Sequence, residues 1–450
     1  MDDAAVHIAY SLAEREPIMK SRLPYNRRPA GSVLIVVLVV CLGLVSMTLV
    51  LGHSMLLAYR GSDNELAGRQ ADMAIEGAAQ YAEAILSNVS QPGEMPDPNN
   101  YQAQAVPLGE ATFWFIGEPD ATETSNLPVF KLVDEASKLN LNTATLAMLE
   151  NLPGMTQDLA QAIVTWRSSS SASPTPGAAS SSSEVKNAPF ESVEELAQVN
   201  GGTDLVTLYG SDTNLNHVLD PDESAGGATA FNPGLLEYVT VFSRQPNTLS
   251  SGQKRVNVTQ GPSGALSNLL NSALGATRGA QITATMRRAG PVRSVLEFYN
   301  KSGMTAAEFA LVSGTLSMSN STYSKGLINV NTASETVLEC VPGITESTAQ
   351  QIVSTREAQT QPITNLSWVA PILGKAASAQ AGPYLTAETY QISADIAAVG
   401  RHGRGYRRTL FVIDNSSGTP QILYRRNLSG LGWALGSEER QALAKQEASP

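Results

Sequence analysis

The chain has 450 residues, 42% of them hydrophobic and 16% charged, with 36 glycines and 24 prolines, a globular composition long enough for two or three folded units. A formal net charge of −11 counts against a protein whose main task is gripping nucleic acid, because phosphate neutralisation needs clustered Lys and Arg. The 2 cysteines exclude a disulfide framework, since Cys41 lies inside an apolar segment and Cys340 far beyond it.

That segment runs without charge from Gly31 to Tyr59 behind a basic leader ending Arg27-Arg28-Pro29-Ala30-Gly31. It is too long for a secretory h-region of about 7–15 residues and exceeds the roughly 20 that span a bilayer core, so it predicts a membrane helix. Lys20, Arg22, Arg27 and Arg28 precede it, whereas Arg60 is soon followed by Asp63 and Glu65. The positive-inside bias then keeps the N-terminus in the cytoplasm and exports everything after Tyr59. Gly31-Ser32, directly before the run Val33 to Leu38, resembles the leader-cleavage site of type IV prepilins and pseudopilins.

Beyond the span, Leu66, Ala67, Ala71, Ala74, Ala78, Ala82 and Ile85 repeat at helical spacing. The helix is expected to continue to Ser87-Asn88, before the turn-rich stretch from Gln91 to Asn100. Strands are expected over Ala111–Ile116, Val129–Val133, Tyr390–Val399, Tyr406–Asp414 and Gln421–Arg426. If the two groups share one sheet, residues from about 136 to 388 are an insertion in it, largely helical. Within that insertion the Ser/Ala/Pro tract Ser168 to Ser183 has too little apolar surface to offset its ordering entropy, and a disordered loop is expected over 168–188.

An internal repeat sets Leu139-Asn140-Leu141-Asn142-Thr143-Ala144 against Ile328-Asn329-Val330-Asn331-Thr332-Ala333. The match continues through Leu152-Pro153-Gly154-Met155-Thr156 against Val341-Pro342-Gly343-Ile344-Thr345, and on to Arg167 against Arg356. Each copy reads as a helix capped by Thr143 or Thr332, a structural turn at Pro153-Gly154 or Pro342-Gly343, and a second helix capped by Thr156 or Thr345. This is a helix-hairpin-helix unit. A phosphate clamp needs a Gly-rich approach, free N–H groups and positive charge. Here Thr156 and Thr345 stand where DNA-binding hairpins usually carry a second Gly, and Asp158 and Glu346 put negative charge at the helix start. Scaffold is the favoured reading.

Between the hairpins, Asp212, Asn214, Asn216, Asp220 and Glu223 place oxygen side chains in the first, third, fifth, ninth and twelfth positions of an EF-hand-type loop, with the Val218 carbonyl in the seventh. A structural Ca²⁺ is expected there. His217 departs from the pattern, which has Gly at that place. The competing reading is an Asn/Asp-rich surface turn.

Catalysis finds no foothold in the sequence. Of 4 histidines, His7 and His53 fall in the leader and span, leaving His217 and His402. No nucleophile elbow, zinc-protease motif, Cys/His zinc spacing or P-loop is present, so no enzyme activity is expected. Asp134-Glu135 reads as a strand-end polar pair, and Arg401, Arg404, Arg407 and Arg408 as a solvated turn.

Together the prepilin-type start, the segment Asp134 to Ala144, the Leu-Pro-Gly turn with Ala162 to Arg167, Pro189-Phe190-Glu191-Ser192-Val193-Glu194-Glu195-Leu196, Tyr238 to Ser243 and the Tyr390 to Asp414 strands resemble the general secretion pathway protein K family. These are the minor pseudopilins of type II secretion systems. The resemblance leaves out the Ser-rich loop and about residues 245–325, which look inserted. Pseudopilins usually have Glu at the fifth mature position, but counting from Ser32 this chain has Val36, as protein K members also lack that Glu.

The resemblance implies an α+β fold: a long N-terminal transmembrane and amphipathic helix, a pilin-like antiparallel sheet, and a large inserted, mainly helical domain carrying two helix-hairpin-helix units. The expected segments are leader 1–31, membrane helix 32–59, its amphipathic continuation 60–90, first sheet portion 91–135, insertion 136–388 with hairpins 139–167 and 328–356 and calcium-type loop 212–223, C-terminal strands 389–436, and polar tail 437–450. It also implies a bacterial inner-membrane, single-pass protein with its main domain in the periplasm. The implied partners are other minor pseudopilins in a tip complex, the major pseudopilin, prepilin peptidase and the inner-membrane assembly platform, with nucleic acid disfavoured. The rival class is a membrane-anchored hairpin DNA receptor of a DNA-uptake system.

Overall fold

The computed structural model describes residues 31–119, 127–168, 186–225, 230–359 and 363–447. The leader up to residue 30 and positions 169–185 of the Ser-rich tract lie outside these residues. The chain divides into two units, Met1–Ser62 and Asp63–Pro450. Helix α1, Gly31–Ser87, begins in the first and ends in the second.

In the first unit α1 exposes its apolar side chains from Val33 to Tyr59, and the helix is long and apolar enough to cross a membrane. Two of its hydroxyls bond within the helix. Thr48 Oγ1 donates to Leu44 O at 2.6 Å and Ser54 Oγ to Val50 O at 2.8 Å, which hydrocarbon surroundings require of any polar group.

The second unit is α+β. Its part of α1 buries Ala67, Ala71, Ala74, Ala78 and Ala82, together with Ile75, Ala79 and Leu86. The expected apolar face is rotated slightly: Leu66 is 43% exposed and Ile85 half-buried, because a stripe of alanines lets the sheet approach more closely than Leu66 could. That sheet has strands β1 (Val106–Leu108), β2 (Ala111–Gly117), β3 (Val129–Phe130), β4 (Val133–Asp134), β5 (Gln391–Val399), β6 (Arg407–Asp414) and β7 (Gln421–Asn427). Its main order is β1-β2-β5-β6-β7, all antiparallel.

The run expected as one strand from Val129 to Val133 is two, because β3 pairs with Ile116 and Gly117 of β2 whereas β4 pairs with Ile392 and Ser393 of β5. Alternation along β5 sends Ile392, Ala394, Ile396 and Ala398 against α1 with Phe113, Phe115 and Phe411. Ala397 and Val399 point the other way, where Trp114, Ala434, Leu435 and Leu443 cover them. Leu443 belongs to a helix, Gly436–Glu447, in the polar tail, where the sequence allows a helix over Glu438 to Lys445.

Between β4 and β5 the chain builds three modules on one plan. The first starts with Leu139–Asn140, continues through helices Leu146–Glu150 and Gln157–Arg167, a 3-10 helix Val193–Gly201 and helix Leu205–Tyr209, and closes when Val239–Thr240 pairs in parallel with Leu139–Asn140. The third starts with Ile328–Asn329, continues through Glu335–Glu339, Glu346–Glu357, Leu366–Trp368 and Ala370–Ala381, and closes with parallel Leu385–Thr386. These two share one apolar core that includes Leu141, Leu149, Ile163, Val330, Leu338 and Ile352.

The middle module was not visible as a repeat. Val256–Asn257 leads into helices Gly264–Leu274, Ala276–Ala289, Val295–Ser302 and Ala306–Ser313, and Leu316–Ser317 closes it in parallel around a core of its own. The signature shared by all three is an Asx turn. Asn140, Asn257 and Asn329 each accept through Oδ1 from the backbone N–H two residues on, at 2.9, 2.9 and 3.0 Å.

This turn also corrects the helix caps. The N–H groups of Thr143 and Thr332 are held by the carbonyls of Asn140 and Asn329, so the helices start two residues later, capped by Thr145 and Ser334. Thr156 and Thr345 cap the second helices as expected.

Candidate functional site

Three sets of residues qualify. The first is the pair of hairpin turns. Gly154 has φ +71° with open space before it, and Gly343 has φ +86°. A Cβ on Gly343 would stand 3.0 Å from Gln380 Cβ and 3.3 Å from Ala377 O, so the helix Ala370–Ala381 covers that turn. The second helices turn their basic residues inward. Arg167 donates to the carbonyls of Leu141 and Ala144, and Arg356 to those of Val330 and Ala333, closing each hairpin on its own first strand. Exposed Asp158 and Glu346 stand in the first turns. A phosphate would meet a covered turn in one copy and a carboxylate in both.

The second set is the calcium-type loop. Asp212 is buried and accepts from Asn216 N at 3.1 Å and His217 N at 2.8 Å. Asn214 Nδ2 and Asn216 Nδ2 converge on Asp220 Oδ2, each at 2.8 Å. Glu223 reaches back to accept from Thr213 N at 2.7 Å and Asp220 N at 3.0 Å. Asn214, Asn216 and Asp220 therefore converge, while Asp212 and Glu223 turn to the loop's own backbone N–H groups. Asn214 Oδ1 is buried there without a hydrogen-bond partner, a free oxygen of the kind a hard cation takes. Leu215 and His217 hold φ +56° and +64°. The left-handed bend for which the sixth position ordinarily uses Gly is therefore made by His217.

The loop is fastened to the sheet by a residue read from sequence as part of a solvated turn. Arg408, on β6, is fully buried and donates to the carbonyls of Asn214 and, at 2.7 Å, Leu215. It also pairs with Asp395 of β5 at 2.6 Å. Of its neighbours, Arg401 and Arg404 both pair with Asp63 on α1, the latter at 2.7 Å, and half-exposed Arg407 approaches Asp72 at 3.5 Å. His402, beside them, lies exposed in the turn Arg401–Gly403. No spacing rule would have found Arg408, whose partners are distant in sequence.

The third set joins the sheet to the modules. Asp134 accepts from Asn329 Nδ2 at 2.8 Å, Thr332 Oγ1 at 2.6 Å, Ala136 N at 2.8 Å and Thr389 Oγ1. Burial pushes its carboxyl up to about 6 against the lowering effect of those bonds. Glu135 accepts from Thr240 and Ser393 hydroxyls. The two acids stand at the end of β4, as expected, and they form a buried joint. Beside them a cavity of about 100 Å³ holds Glu118, Lys138, His217 and Glu237. Lys138 Nζ is 2.6 Å from Glu118 Oε1, and His217 Nδ1 is 2.8 Å from Glu237 Oε2. Burial disfavours the His217 charge, but the carboxylates of Glu237 and Glu118 outweigh it and push the imidazole up to about 9.

A family model described as helix-hairpin-helix motif matches residues 134–172 and 324–383. Among solved structures, a chain of the GspK-GspI-GspJ complex from the enterotoxigenic Escherichia coli Type 2 Secretion System is similar at a TM-score of 0.37 and 11% identity, covering 82% of this chain and 99% of that one. A likeness of that degree carries neither partner nor activity to this protein. No curated protein matches the chain.

Proposed function

We propose that the protein is a minor pseudopilin of a type II secretion system, placed at the tip of the pseudopilus, where it starts or caps assembly with other minor pseudopilins during export of folded proteins. The observation that carries this reading is α1: one helix whose first half is apolar and exposed, and whose second half is an alanine-striped spine under an antiparallel sheet. In this reading the leader ends at Gly31, Ser32 becomes the first mature residue, and the apolar half packs among like helices of the major pseudopilin and partner subunits. The main domain would then lie in the periplasm of a bacterial cell. The role is assembly, without a catalytic step.

The calcium-type loop belongs to the same proposal. Asp212, Asn214, Asn216, Asp220, Glu223 and the Val218 carbonyl would hold one Ca²⁺, whose charge would tighten the attachment of the modules to the sheet. The DNA-receptor reading draws on a hairpin motif placed behind a single span, and the covered Gly343 turn and inward Arg167 and Arg356 argue against it. A salt-dependent gel shift with the full chain separates the two readings: tight binding lost with added salt would favour the receptor. The direct test of the pseudopilin reading is Gly31→Val. It should abolish leader removal and secretion, and normal processing of that variant would overturn the cleavage assignment.

A further inference from the structure

We infer that Glu118, His217 and Glu237 form a second metal site, of the transition-metal class typified by Zn²⁺, distinct from the ligand positions of the calcium-type loop. One ligand atom from each of the three lies within 4.8 Å of the others. One imidazole nitrogen with two carboxylate oxygens is a donor set that Zn²⁺ takes, leaving a place for water or a further oxygen. The cavity of about 100 Å³ they line gives room for the ion and a water.

The charges match a divalent ion. Glu118, Glu135 and Glu237 face Lys138 in this cavity, while Asp395 and Glu194 are already paired with Arg408 and Arg426. Zinc would displace the proton that the carboxylates hold on His217, and three carboxylates against one lysine would then leave two negative charges, which one divalent cation cancels. His217 Nδ1 lies 2.8 Å from Glu237 Oε2 yet makes no hydrogen bond of acceptable geometry. Lys138 Nζ approaches Glu118 through Oε1, at 2.6 Å. Zinc bonds of about 2.0–2.2 Å would draw the three side-chain ends inward by a small movement.

The ligands come from the end of β2, from the bend of the calcium-type loop and from helix Leu235–Tyr238 of the first module. An ion there would lock the sheet, the loop and the module together. It would also give the positive-φ His217, where an EF-hand carries Gly, a purpose of its own.

The test uses the full chain in detergent, in a Cys41→Ser, Cys340→Ser background that removes thiol ligands, with excess Ca²⁺ present. Zn²⁺ is titrated against a chromophoric chelator, and Co²⁺ is followed by its visible d–d absorption. One equivalent of Zn²⁺ should bind, and Glu118→Gln and Glu237→Gln should each weaken it at least about tenfold and remove the Co²⁺ band. Lys138→Met, which deletes the rival cation, should tighten binding. The inference is overturned if no stoichiometric Zn²⁺ binds, or if Glu118→Gln and Glu237→Gln leave binding unchanged. Should those two fail to fold, an unchanged affinity in Lys138→Met overturns it.

Discussion

Replacing Arg408 by Met tests how the calcium-type loop is held. The guanidinium has no solvent exposure, and Asp395 beside it is only 15% exposed, so truncation leaves a carboxylate with neither its partner nor free water. Breaking such a buried pair costs about 3–5 kcal/mol. The carbonyls of Asn214 and Leu215 lose their donor as well, at about 1 kcal/mol or more each where water does not replace it. The expected loss is at least about 4 kcal/mol, a large part of the roughly 5–15 kcal/mol that holds a domain. Arg407→Met is the internal control: its contact with Asp72 is 3.5 Å long between side chains 42% and 61% exposed. That change should cost below about 1 kcal/mol. Urea denaturation of the full chain in detergent reads both, and Asp395→Asn added to Arg408→Met should recover part of the loss by removing the orphaned charge. If Arg408→Met proves no more costly than Arg407→Met, the buried anchor is wrong.

Asp134 makes stability depend on pH in a stated direction. Its carboxyl is raised to about 6 in the folded chain from 3.8, so the native state holds this proton more tightly, and its contribution falls as pH rises through 6. The stability difference between wild type and Asp134→Asn should shrink by up to about 3 kcal/mol from pH 4 to 7, and a difference independent of pH would refute the burial argument. Gly405 has φ +71°, and a Cβ there would stand 2.3 Å from Gly68 N of α1. Gly405→Ala should therefore cost roughly 3 kcal/mol, read as a lowered melting temperature, because backbone on both sides leaves no room to adjust. Added Ca²⁺ at about millimolar concentration should raise the melting temperature of wild type, and Asp220→Asn should abolish the rise. A melting temperature indifferent to Ca²⁺ would remove the ion from the account.

What the sequence made legible is what is decided over a few residues. Thr156 and Thr345 cap helices through a bond to the N–H three residues on, and the alanine spacing of α1 names its buried stripe. The caps at Thr145 and Ser334 escaped because Asx turns at Asn140 and Asn329 take up the preceding residues first. The middle module was hidden because it keeps only the turn-forming Asn257 and joins its first two helices through Gly275, without the Pro-Gly signal. Arg408, Asp134 and Glu118 acquire their meaning from partners brought in by tertiary pairing, and no local pattern announces that. The positive φ of His217 shows the reverse case: the residue that departs from the loop pattern still makes the bend.

The most direct measurement is the N-terminal residue of the protein purified from a cell with an active prepilin peptidase. The account predicts Ser32, carried on a chain that co-assembles with partner subunits through its apolar helix. A mature chain that retains Met1 would contradict it.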